Sequence, residues 1–62
     1  MPRAIKYDSV TGDEYVEAFI NKNEKYVIEI GDRTDPDSFH LIELGREDLK
    51  NFIYDMIKKF EL

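Results

Sequence analysis

The chain contains no cysteine, a single histidine and only three glycines among its 62 residues. Without cysteine it forms no disulfide, and one histidine alone cannot build a structural zinc site. The glycines lie in none of the spacings that cradle a phosphate, and no apolar run approaches the ~20 residues of a membrane span. We therefore expect no metal, no cofactor and no membrane segment.

Groups that could carry catalysis are also scarce. His40 stands alone between Phe39 and Leu41, and no serine motif of the hydrolase type is present. The polar stretch from Asp32 fails as a calcium loop, because its sixth position is Asp37, where that loop requires glycine. We expect no catalytic residue and a protein that is not an enzyme.

Size and charge limit the function further. The chain has 14 acidic residues against 9 basic ones, a formal charge of −5 that repels phosphate backbones and favours a basic partner. A chain this short buries only roughly 60% of its unfolded surface, and one such core rarely supplies more than ~3–5 kcal/mol. Self-association remains as a stabilising device, so we expect a homodimer, formed through a sheet face or an edge strand. The N-terminus lacks the apolar segment of a secretory signal, which predicts a cytoplasmic protein.

The hydrophobic pattern predicts one domain over residues 1–62. Alternating segments separated by turn signals predict strands at about 4–10, 14–20, 25–30 and 38–44. Gly12 supplies a turn after the first strand, Asn21–Glu24 form a second turn, and Gly31–Asp37 is expected to be a polar loop. Residues 13–22 also fit a short helix, although the flanking turn signals favour a strand.

The last third of the chain switches to helical spacing. Its apolar residues recur at intervals of three and four, which predicts a helix at about 46–60: Leu49, Phe52, Ile53, Met56, Ile57 and Phe60. Gly45 stands at the N-cap, acids follow it, and Lys58 and Lys59 stand in the last turn. The expected fold class is α+β in two layers, a four-stranded antiparallel meander with this C-terminal helix packed on one face (ββββα).

Period-2 alternation divides the sheet residues between two faces. The helix is expected to cover an aliphatic face: Ile5, Val16, Ala18, Ile20, Ile28, Ile30, Ile42 and Leu44. The opposite face, called the mixed face below, combines apolar side chains with carboxylates: Tyr15, Glu17, Phe19, Val27, Glu29, Leu41 and Glu43. An apolar stripe rimmed by charge is typical of a contact surface, although sheets also use such pairs for their own packing. We predict these residues as partner-binding, together with Tyr54 on the helix flank.

The predicted meander followed by a helix resembles the arrangement in the single-stranded-DNA-binding transcriptional coactivators. That resemblance implies a dimer whose sheet binds single strands through basic and aromatic residues. Here Tyr15 and Phe19 could stack on bases, but neighbouring carboxylates oppose phosphate contacts, so nucleic acid is not the expected partner. In size and charge the chain resembles small phage-encoded inhibitors that mimic nucleic acid. The sequence thus predicts a non-enzymatic protein-interaction module, an inhibitor or adaptor acting through the mixed face, with single-stranded nucleic-acid binding as the alternative.

Overall fold

Four strands and one helix make up most of residues 4–62, the part of the chain that this computed structural model describes. The elements follow in the order β1 (Ile5–Asp8), β2 (Glu14–Ile20), β3 (Tyr26–Asp32), β4 (Asp35–Leu44) and α1 (Arg46–Phe60). Sequential antiparallel pairs give one open sheet in the order β1-β2-β3-β4. The expected α+β class and meander topology are confirmed, while the first three residues of the predicted domain lie outside the described range.

The first two turns form where the sequence signals lie. Gly12 adopts a φ of 82°, a left-handed conformation that costs glycine little, and its N–H donates to the Ser9 carbonyl at 3.0 Å. In the second turn the Asn21 side-chain oxygen accepts from the backbone N–H groups of Asn23 and Lys25, at 2.9 and 3.0 Å. Glu24 there has a φ of 60°, a strained value for a residue with a Cβ. Between these two turns, residues Glu14–Ile20 form a strand. The helical alternative for this segment is therefore wrong.

The third turn is much shorter than the predicted loop over Gly31–Asp37. β3 continues to Asp32 and β4 begins at Asp35, which leaves a two-residue turn. Asp32 Oδ1 accepts from the Thr34 N–H and hydroxyl at 2.8 and 2.6 Å, and these bonds hold the pKa of Asp32 below its ordinary value. Pro36 is tolerated within β4 for two reasons. β4 is an edge strand, and Pro36 lies in the irregular stretch between Asp35, paired with Asp32, and Phe39, paired with Gly31. Its missing N–H therefore costs the sheet no hydrogen bond.

One residue marks each end of α1, and one residue marks the C-terminal end of β1. Gly45 is the N-cap of α1, with extended backbone, no side-chain cap and its carbonyl accepting from the Leu49 N–H at 3.0 Å. Glu61 ends the helix in a left-handed conformation, with a φ of 54°. β1 is shorter than predicted because Ser9 already belongs to the first turn, where its N–H donates to the Glu14 carbonyl at 2.8 Å.

The hydrophobic core is thin. Of the apolar side chains that the structure describes, only Val27 in the central strand β3 is buried, at 4% exposure. α1 buries no residue and makes only slight contact with the strands. Leu49 in its first turn lines a groove with Ile5, Ala18, Val27 and Ile28, while most of the aliphatic face stays open.

Candidate functional site

Strand pairing brings the predicted residues of the mixed face together. Directly opposed residues share a face, and the register opposes Glu17 to Glu29, Glu29 to Leu41 and Phe19 to Val27. The register adds three side chains that the sequence pattern left out: Lys6, opposed to Glu17, Asp8, opposed to Tyr15, and Phe39, opposed to Gly31. Extending the period-2 rule along β1 and β4 would have found all three.

Tyr15 organises one end of the mixed face. Its ring crosses Gly31 so closely that a Cβ built there would lie 2.5 Å from the Tyr15 hydroxyl oxygen. The hydroxyl donates to Glu29 Oε2, and this hydrogen bond, with a smaller effect of burial, raises the pKa of Tyr15. The Lys6 ammonium lies 4.7 Å from the ring centroid, a cation–π distance. The open space above glycine thus seats an aromatic ring that bridges β2 and β3.

The carboxylates of this face are incompletely neutralised. Glu17 and Glu29 oppose each other and are both half-buried. Across residues 4–62, neither these two carboxylates nor Glu43 forms an ion pair, although Glu43 accepts a 2.5 Å hydrogen bond from the Asn21 side chain. Like charges directly opposed across a sheet destabilise the pairing. A cation from outside the chain would relieve that repulsion.

Apolar side chains lie beside these carboxylates. Phe39 and Leu41 on β4 are 55% and 46% exposed, and Phe19 is half-buried. Val27 also belongs to this face but is almost fully buried, so its prediction as a partner contact is not supported by its position. Tyr54 is exposed on α1 and belongs to none of the strand rows of the mixed face.

The opposite sheet surface, which extends the aliphatic face and is called the apolar face below, ends in an acidic row where Glu14 is opposed to Asp32. The other paired rows of this face carry no lysine, arginine or carboxylate. They consist of the following residues: Ile5, Tyr7, Val16, Ala18, Ile20, Tyr26, Ile28, Ile30, His40, Ile42 and Leu44. Most of them are exposed, including Ile30 at 55% in the central strand β3. His40 is opposed to Ile30 and lines a pocket with Glu14 and Asp32.

Other kinds of site find little support in the geometry. In the described part of the chain, no group of three or more histidine, aspartate or glutamate side chains could hold a metal ion. The helix found in residues 4–62 is neither long nor apolar enough to cross a membrane. Comparison with models of protein families, with curated proteins and with solved structures finds no match for this chain. The two sheet faces are the most distinctive surfaces of the described residues.

Proposed function

We propose that this protein is a non-enzymatic interaction module that binds a basic protein partner through the mixed face. The observation that carries this proposal is the opposed pair Glu17 and Glu29, half-buried without an ion pair in the described residues, beside the exposed Leu41. A partner lysine or arginine would neutralise the carboxylates. Leu41 and Phe39 would meanwhile exclude water around the new ion pair and strengthen it.

The arrangement suits an inhibitor or adaptor that imitates nucleic acid. Glu17, Glu29 and Glu43 stand on three successive strands, and neighbouring strands lie roughly 5 Å apart. They form a short band of negative charge on a rigid support. A basic groove that normally holds phosphates could accept this band, and charge complementarity would speed the encounter.

Binding of single-stranded nucleic acid by the same face is less favoured. The Tyr15 ring lies against Gly31 and has the Lys6 ammonium 4.7 Å from its centroid, so it is not a free stacking platform. The carboxylates of Glu17 and Glu29 would repel phosphates that approach the ring. We therefore propose a protein partner and treat nucleic acid as an outcome of the test.

The test is affinity capture from a lysate of the source cells, with and without nuclease, using the wild type and two variants. Glu17→Lys places a cation in the mixed face, whereas Glu24→Lys makes the same change in an exposed turn. We expect a protein partner that survives nuclease, binds the Glu24→Lys variant normally and binds the Glu17→Lys variant about tenfold more weakly. Equal capture by both variants, or recovery of nucleic acid alone, would overturn the proposal.

A further inference from the structure

The apolar face and the stripe of α1 are both uncovered in the single chain. The stripe consists of Leu49, Phe52, Ile53, Met56, Ile57 and Phe60. Within it, Phe52, Ile53, Ile57 and Phe60 are between 43% and 64% exposed. So much exposed apolar surface is uncommon on a soluble monomer and typically marks an interaction surface. We propose that the apolar face and the α1 stripe together form the interface of an obligate homodimer.

The exposed area supports a permanent interface. The chain exposes 5659 Å², whereas a folded monomer of 7.4 kDa is expected to expose about 4,200 Å². The excess of about 1,450 Å² per chain lies in the range of obligate homodimers, which bury ~1,000–2,500 Å² on each partner. The radius of gyration agrees, at 12.8 Å against about 10.5 Å for a packed chain of this length.

A second copy of the chain fits this surface better than a charged partner does. Apart from the acidic row of Glu14 and Asp32 at one end, the paired rows of the apolar face carry no lysine, arginine or carboxylate. The charged residues Lys6, Glu17 and Glu29 lie on the mixed face. Two chains of charge −5 can therefore meet over these uncharged rows, with the carboxylates of Glu17 and Glu29 turned away from the contact. A nucleic acid or an anionic lipid would find no lysine or arginine in these sheet rows.

The thin core explains why the apolar face and the α1 stripe must be buried permanently by a second chain. One buried apolar side chain, Val27, cannot offset the conformational entropy lost on ordering the chain. A partner present only at times would leave the protein unfolded in between, whereas a second copy is always made with the first. Folding and dimerisation are then one equilibrium, and stability depends on protein concentration.

Sedimentation equilibrium and thermal unfolding of the full chain over a range of concentrations test the inference. We expect a wild-type dimer, twice the 7.4 kDa chain mass, whose melting temperature rises with concentration. Ile30→Asp on the sheet and Ile57→Asp on α1 should each weaken the dimer about 100-fold, because each buries an unpaired charge in the interface. Leu41→Asp, of similar exposure on the mixed face, should change the dissociation constant by no more than about twofold.

Several results would overturn the inference. A folded wild-type monomer with a concentration-independent melting temperature would do so even if the variants failed to fold. A dimer weakened by Leu41→Asp and indifferent to Ile30→Asp would place the interface on the mixed face instead. The inference does not rest on the proposed function, because Leu41→Asp should impair partner capture while leaving dimerisation intact.

Discussion

The contact between Tyr15 and Gly31 predicts that Gly31→Ala destabilises the fold. The same substitution should stabilise the fold when the Tyr15 ring is absent. Gly31 is buried and has no positive φ, so its backbone accepts alanine. The new Cβ would nevertheless lie 2.5–2.6 Å from three atoms of Tyr15, where ordinary contact needs at least 3.4 Å. The ring must therefore move by roughly 1 Å, which breaks its hydrogen bond with Glu29.

The magnitude follows from two opposing effects of Gly31→Ala. Overpacking at a tightly occupied position costs about 1–3 kcal/mol, while the smaller entropy of the unfolded chain returns about 0.4–1 kcal/mol. The difference between these two ranges is a net loss of roughly 0–2.6 kcal/mol, centred on about 1.3 kcal/mol, and the lost hydrogen bond with Glu29 adds to it. Each 1 kcal/mol lowers the melting temperature of a chain of this size by about 4–8 °C. In a Tyr15→Ala background the overlap is absent, so the same substitution should stabilise the fold by about 0.4–1 kcal/mol.

The assay is a double-mutant cycle by thermal or urea unfolding, with all four proteins at one concentration because a dimer's stability depends on it. Tyr15→Phe serves as a matched control: it keeps the ring, so Gly31→Ala should remain destabilising in that background. If Gly31→Ala destabilises equally with Tyr15 and with Ala at position 15, the ring does not occupy the space above Gly31 and the reasoning is wrong.

Three further predictions concern local strain and protonation. Glu24→Gly should stabilise the fold by about 0.5–1 kcal/mol by relieving the left-handed strain, and Glu24→Ala should not, as urea unfolding would show. Thr34→Val should raise the pKa of Asp32 in an NMR titration, and its stability deficit should be present at neutral pH and vanish as the pH falls through the folded-state pKa of Asp32. The raised pKa of Tyr15 means that its hydrogen bond stabilises below the unfolded-state pKa, so the deficit of Tyr15→Phe should vanish as the pH rises through the folded-state value.

Short-range patterns account for the parts of the fold that the sequence predicts well. β2 and α1 have the predicted bounds because capping, turn chemistry and hydrophobic period all agree over a few residues. The loop over Gly31–Asp37 could not be predicted in this way. Whether Pro36 interrupts a strand depends on whether that strand lies at an edge, and the edge position is a property of the whole sheet.

The division of residues between two faces was also predictable, but the burial of each face was not. Alternation specifies which side chains share a face, and the register confirms that division. Coverage depends on the direction that α1 takes after Gly45, which no local pattern specifies. As a result Val27, predicted as a partner contact, is the most buried apolar side chain described, while Ile30 on the face expected to be covered is exposed.

The two faces constrain one another because a strand residue belongs to one face only. A one-residue slip of β2 would turn the Glu17 carboxylate onto the apolar face beside Ile30. The same slip of β3 would turn the Glu29 carboxylate onto that face beside Ile42. Either slip has a large desolvation cost once the face is covered. The charge pattern therefore specifies the register and turns the mixed face outward whenever the apolar face is covered. A homodimer joined through the apolar face would present two identical mixed faces on opposite sides. A partner with two basic patches, or two partners linked together, would gain effective concentration from such an arrangement, whereas a partner with a single patch would not.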